Sequence, residues 1–284
     1  MGKKVVVTGA TGLIGKESIV PLQESGFEII RLDSSSCNLF DFEKVDAFFK
    51  EHQPDFLLHF AWITGGDYLS NPINSKYCDA SFNLLKQFYE NGGKRAVFAG
   101  TCFEYDFKKD LLSENSPLAP LTFYAENKVR LCEFCSKFCI ENSLSFSWGR
   151  IFYVYGHGEK TGRLTNSIIS SLLKDELVTV KYGQLLRDYM YSRDIATAFV
   201  RLLQSEVQGC VNICTGKGIT LADYAKKIAN KLSKSSLLEI HEEKTNQPFS
   251  IIGDNTKLVN EVGFCSFTNM DIAMDSILAD YRRL

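Results

Sequence analysis

Thr8-Gly9-Ala10-Thr11-Gly12-Leu13-Ile14-Gly15 follows directly on a β-branched run, Lys4-Val5-Val6-Val7, and opens a stretch with helical spacing. Glycines fall at 9, 12 and 15. Gly9 permits a tight turn, Gly12 lets backbone approach a pyrophosphate, and Gly15 lets the helix pack close to the strand. The N–H groups at the helix start and the positive end of its dipole then face the anion. A glycine-rich string alone says little. The strand–loop–helix context is what gives it meaning.

Outward from this loop the same alternation repeats. Strands are expected at 4–8, 27–32, 54–60, 95–99 and 145–152, with helices at 15–25, 42–52, 74–90 and 124–141. Strand–helix alternation at this spacing implies a parallel sheet with helices on both faces, and right-handed crossovers make it doubly wound. After Tyr155 the pattern loosens. Gly156, Gly158 and Gly162 mark a loop. Helices are expected at 164–174 and 220–232, a short strand at 178–181, and a charged turn running into a helix across 187–203. Residues 1–155 thus read as a dinucleotide-binding domain. Residues 156–284 read as a smaller α/β lobe that binds substrate and sends some segments back to the first domain.

The chain has 284 residues, 45% apolar, with a formal charge of −2. That balance lacks the basic excess of a nucleic-acid binder. No apolar run nears the ~20 residues that span a bilayer. The valines after Lys3-Lys4 end too soon for a secretory signal, so a cytoplasmic protein is expected. Nine cysteines, an odd number, scattered through apolar segments suit reduced thiols better than a disulfide framework. Cys132, Cys135 and Cys139 share one helical face and read as small packing residues. No second CxxC or neighbouring histidine completes a zinc site, and no metal is expected.

Tyr124-Ala125-Glu126-Asn127-Lys128 places a tyrosine and a lysine at i and i+4, on one helical face. A protonated lysine beside a phenol stabilises the phenolate, so the phenol can exchange a proton with a substrate hydroxyl or carbonyl. Upstream, Ala96-Val97-Phe98-Ala99 runs into Gly100-Thr101-Cys102-Phe103-Glu104-Tyr105, and the acidic, proline-bearing Ser113–Pro120 segment precedes the helix.

With TGATGLIG, the Thr101–Tyr105 spacing and YxxxK together, the whole chain resembles the extended short-chain dehydrogenase/reductase family of nucleotide-sugar epimerases, dehydratases and reductases. The resemblance implies a Rossmann-type fold and a catalytic set of Thr101, Tyr124 and Lys128. It implies cofactor contacts from Gly9, Thr11, Gly12, Leu13, Ile14, Gly15, Asp33, Asn38, Leu39, Phe60, Ala61, Ala99 and Phe152, besides Tyr124 and Lys128. Asp33, 18 positions after Gly15, suits the ribose hydroxyls of NAD. Arg31 and Ser34-Ser35-Ser36 offer donors to a 2′-phosphate, so NADP stays open. Gly149–Gly156 and Arg187–Asp194 resemble the family's RxxNVYGP and RDYxxVxD strings. Cys102, Tyr153, Asn166 and Arg187 are therefore expected at the substrate, with Arg187 on its diphosphate.

The family's 4,6-dehydratases carry Asp-Glu directly after the catalytic hydroxyl. Here Cys102 and Phe103 stand there, and Glu104 comes one position late. Tyr153 and Tyr77 replace two asparagines of the family. The resemblance therefore implies an NAD(P)-dependent 4-ketoreductase of a nucleoside-diphosphate sugar, with a C4 epimerase as the alternative and a non-catalytic nucleotide binder behind both. A homodimer paired through the YxxxK helix is expected.

Overall fold

The computed structural model describes residues 3–33, 35 and 37–281. The chain runs β1 (Lys3–Thr8), α1 (Ile19–Glu24), β2 (Phe27–Leu32), α2 (Phe42–His52), β3 (Phe56–His59), α3 (Ile73–Glu90), β4 (Arg95–Thr101), α4 (Phe123–Glu141) and β5 (Ser145–Ile151). It continues through β6 (Tyr153–Tyr155), α5 (Leu164–Leu173), β7 (Val178–Val180), β8 (Leu186–Arg187), β9 (Tyr189–Tyr191), α6 (Ser192–Gln204) and β10 (Gly209–Ile213). Last come β11 (Ile219–Thr220), α7 (Leu221–Lys231), β12 (Leu238–Ile240), β13 (Ser250–Ile251), α8 (Thr256–Asn260) and α9 (Met270–Tyr281).

Six strands form one sheet in the order β10-β5-β4-β3-β1-β2, with every pairing parallel. Val5, Val7, Leu58 and Val97 face one side, against Leu22 of α1 and Phe199 and Leu202 of α6. Val6, Leu57, Ala96 and Phe98 face the other, against Phe49, Leu84, Phe88 and Leu131. Burial on both faces explains why these strands read as unbroken apolar runs rather than alternating ones. The strand order reverses between β1 and β3, which opens a crevice at their carboxyl ends.

The helix expected at 15–25 is split. A 3-10 turn over Gly15–Ser18 precedes α1. Pro21 has no N–H to return to the Glu17 carbonyl, so the α-helical ladder cannot run unbroken back into Gly15–Ser18. Ser18 Oγ closes the tight first turn on the Gly15 carbonyl at 2.6 Å. β4 runs two residues beyond the expected 95–99, carrying Thr101 to the end of the sheet.

β10 gave no clear signal in the sequence: five residues opened by Gly209, with a buried Asn212 inside. It follows α6 back into the sheet beside β5. Arg95, 5% exposed, fastens this return. Its guanidinium donates to the carbonyls of Leu202, Leu203 and Val207 and to the hydroxyls of Ser145 and Ser147, at 2.5–3.1 Å. A cation at the carboxyl end of α6 also meets the negative end of the helix dipole. The remaining lobe packs α5, α7 and α9 around Tyr155, Tyr224, Ile169 and Met274. Cys132, Cys135 and Cys139 face the sheet within the core, and no cluster of metal-ligating groups occurs among the described residues.

Candidate active site

A cleft of about 740 Å³ runs along the carboxyl ends of β1, β3, β4 and β5, reaching from Asp33, Asn38 and Leu39 to Tyr124 and Lys128. At its floor the glycine loop is set by crowding. Gly9 adopts φ +66°, and a Cβ on Gly15 would lie 2.1 Å from the Gly9 carbonyl oxygen. Only glycine fits there, and the backbone stays bare toward the cleft. Thr8 Oγ1 meets His59 Nδ1 at 2.7 Å, and His59 Nε2 meets Ser81 Oγ at 2.8 Å. Burial pushes His59 down to about 3, so it stays neutral and ties β1 to β3 beneath the loop.

Every residue expected at the cofactor lines this cleft: Gly9, Thr11, Gly12, Leu13, Ile14, Gly15, Asp33, Asn38, Leu39, Phe60, Ala61, Ala99, Tyr124, Lys128 and Phe152. Asp33 directly follows β2 and accepts from the backbone and hydroxyl of Ser35. Arg31 does not line the cleft, and Ser34 and Ser36 lie outside the described residues. A dinucleotide fits this strip. Bare glycine backbone forms its floor, the Asp33 carboxylate stands at one end, and the Tyr124–Lys128 pair stands at the other.

Thr101 closes β4 and caps the 3-10 turn of Cys102–Glu104, accepting from Phe103 N at 3.3 Å. The same hydroxyl lies near enough to Tyr124 to favour its phenolate. The expected catalytic hydroxyl and the capping hydroxyl are therefore the same group. Tyr124, in the first turn of α4, is held well above the usual phenol range by burial and by the neighbouring Tyr68 phenol, against the pull of Thr101. Lys128 is 3% exposed, and its Nζ donates to the Ala99 carbonyl at 2.8 Å. The same ammonium sits 3.8 Å from the Trp62 ring centroid. Burial draws it down to about 7.

The turn after Thr101 also places Glu104. Glu104 lies beneath Thr101, fully buried, and accepts from Thr101 N, Trp148 Nε1 and Arg150 Nε, the last at 2.7 Å. It holds the end of β4 in place and does not face the cleft. Cys102 is buried, and desolvation pushes its thiol far up.

Of the residues expected at the substrate, Cys102 and Tyr153 line the cleft, while Asn166 and Arg187 do not. Asn166 Nδ2 donates to the Glu159 carbonyl and the Tyr281 hydroxyl. Arg187, 3% exposed, gives Nη1 to the carbonyls of Leu186, Pro248 and Phe249, and forms no ion pair with Asp188 or Asp194. Asp188 is taken up by Thr215, Gly216 and Gly253, and Asp194 by Thr268. The sequence did not mark Tyr68, Lys160 or Arg163, which all line the cleft. They sit on loops, where no period or motif singles them out.

The profile of one family, described as the NAD dependent epimerase/dehydratase family, matches residues 5–214. The chain belongs to that family. It is therefore an enzyme of the short-chain dehydrogenase/reductase type, and NAD is its cofactor. Among curated members, the GDP-L-colitose synthase of Yersinia pseudotuberculosis is 21% identical over 94% of each chain. The GDP-6-deoxy-D-talose 4-dehydrogenase of Aggregatibacter actinomycetemcomitans is 27% identical over 92% of this chain and 91% of its own. Among solved structures, the Thermus thermophilus UDP-glucose 4-epimerase in complex with NAD superposes with a TM-score of 0.84 at 22% identity, covering 98% of this chain and 99% of its own. Such likeness confirms the doubly wound fold of this NAD dependent epimerase/dehydratase family member. No helix among the described residues is long and apolar enough to cross a membrane.

Proposed function

We propose that the protein is an NAD(P)-dependent 4-ketoreductase acting on a 4-keto hexose linked to a nucleoside diphosphate. The observation that carries this is the convergence of Thr101, Tyr124 and Lys128 at one end of the glycine-floored cleft. When bound, the cofactor supplies the hydride. Tyr124 delivers the proton to the reacting oxygen, and Thr101 orients that oxygen. Lys128, held by Ala99 and Trp62, lies beside Tyr124 and would contact the nicotinamide ribose; in its protonated form it favours the phenolate.

The dehydratase alternative lacks its machinery. Cys102 is a buried thiol held far above neutrality, Phe103 has no acid function, and Glu104 is sealed under β4. Relatives named for 4-dehydrogenation and colitose synthesis support chemistry at a sugar nucleotide. A C4 epimerase is the second reading. Two contacts cross the cleft, Lys16 Nζ to the His157 carbonyl at 2.6 Å and Arg163 Nη2 to the Thr64 carbonyl at 2.8 Å, and such closure suits a retained cofactor. The outer face of α4 exposes Phe134 and Ile140, which fits pairing of two copies through this helix in the cytoplasm.

Incubation with nucleotide-linked 4-keto-6-deoxy sugars and their 4-hydroxy counterparts, with NADH and NADPH in parallel, separates these readings. Stoichiometric loss of reduced cofactor with the ketone establishes the reductase. Interconversion of 4-hydroxy sugars without net cofactor change makes it an epimerase.

A further inference from the structure

Tyr68 brings a second phenol to the reacting end of the cleft. It lines the cleft, and its ring meets the Tyr124 ring edge-on, with centroids 5.2 Å apart at 72°. It is close enough to Tyr124 and Tyr153 to disfavour negative charge on either.

Tyr68 is held from three sides. Its carbonyl accepts from Asn74 Nδ2 at 2.7 Å, and Asn74 Oδ1 accepts from Trp62 Nε1 at 2.7 Å. The next residue, Leu69, gives its carbonyl to Tyr124 N at 3.0 Å, so the loop is joined directly to the start of α4. From the other lobe, the Arg163 guanidinium carbon lies 4.8 Å from the Tyr68 ring centroid, and Nη1 donates to the phenol oxygen at 3.4 Å. Nη2 of the same residue is anchored on the Thr64 carbonyl.

A phenol oxygen that accepts from a guanidinium still has its own proton to place. None of the hydrogen bonds among the described residues takes that proton, while the side chain borders an open cleft. A ligand oxygen is the acceptor that completes the group.

We propose that Tyr68, oriented by Arg163, positions the substrate by donating a hydrogen bond to a sugar oxygen on or next to the reacting carbon. Tyr124 moves the proton, and Tyr68 fixes the angle at which the sugar meets it. Arg163 acts through Tyr68 by holding its phenol oxygen and ring, so placement of this phenol depends on the smaller lobe being docked. The role rests on the proposal that the substrate is a nucleotide-linked sugar.

The test compares wild type, Tyr68→Phe, Tyr68→Leu, Arg163→Lys and the Tyr68→Phe/Arg163→Lys double variant. Each is assayed for kcat and KM with whichever nucleotide-linked 4-keto or 4-hydroxy hexose the wild type turns over. NAD affinity is measured separately. Tyr68→Phe keeps the ring contacts and loses only the O–H. It is expected to lower kcat/KM roughly tenfold, the size of one lost hydrogen bond, with NAD affinity unchanged. Arg163→Lys is expected to lose a similar factor, and the double variant to be no worse than Tyr68→Phe, because both act through one hydroxyl. Wild-type kinetics for Tyr68→Phe beside an impaired Tyr68→Leu would show that only the ring matters and overturn the proposal. Full additivity in the double variant would overturn the positioning role of Arg163. A wild type inert toward every nucleotide-linked sugar would bring down the functional reading, and this role with it.

Discussion

The two walls of the cleft follow opposite plans. The cofactor wall is backbone: Gly9, Gly12 and Gly15, with Ala61 packed so close that a Cβ on Gly9 would lie 2.8 Å from its nitrogen. The facing wall is side chains: Trp62, Tyr68 and Arg163, carried on loops, and Tyr153 of β6, several of them held by contacts between segments apart in sequence. A wall made of main chain needs particular residues at fixed spacing, so its sequence announces it. A wall made of side chains can be re-cut for a new substrate while the sheet behind it stays the same.

The sharpest way to break this contrast is Tyr124→Phe. If chemistry and cofactor binding are separate, turnover should fall by about 10²–10⁴-fold while NAD still binds, as titrated by fluorescence quenching. A parallel loss of NAD affinity would merge the two walls into one function. Glu104→Ala attacks the support behind both. Removing one partner of a buried ion pair costs about 3–5 kcal/mol, read as a lower urea midpoint, because Arg150 is left without its carboxylate.

Gly15→Ala probes the backbone wall alone. The added methyl has no room beside Gly9, and NAD affinity should drop about a hundredfold by calorimetry, near the cost of strained backbone. Unchanged affinity would mean the loop yields more easily than its contacts suggest.

Lys128 sits where the walls meet, and it titrates in a readable way. Its folded value of about 7 lies below the ordinary value of 10.5. Between the two, the unfolded chain holds a proton that the folded chain has released, so stability rises with pH through that window. Below pH 7 the cost of burying the charge is fully present. Wild type should therefore gain about 2 kcal/mol over Lys128→Met between pH 7 and pH 9, by urea unfolding at each pH. A flat difference would mean that Trp62 and Ala99 keep the ammonium charged. The smallest effect is expected for Cys135→Ala. A buried thiol that only packs should cost about 1 kcal/mol and leave turnover intact, whereas lost activity would give the CxxC chemistry of its own.

The nucleotide half of the site was legible because glycine spacing, strand length and YxxxK are local facts. Asp33 was reached by counting from Gly15 and Phe152 through the family resemblance, and both line the cleft. The place of Glu104 was not legible because Thr101 caps a 3-10 turn, and one tight turn re-aims every later side chain. Arg187 resembled a phosphate ligand, yet the carbonyls at 248 and 249 reach it from a segment 60 residues on. Tyr68 carried no signal, since its importance comes from Arg163, 95 positions away.

The return of β10 to the sheet bears on how the protein is made. Until residue 213 has left the ribosome, the outer edge of β5 has no partner, and Arg95 lacks the three carbonyls that receive its charge. The nascent nucleotide-binding half therefore carries an open strand edge, the template on which chains stick to one another. A chain stopped at residue 156 would keep every glycine of its loop and still present that edge to its neighbours.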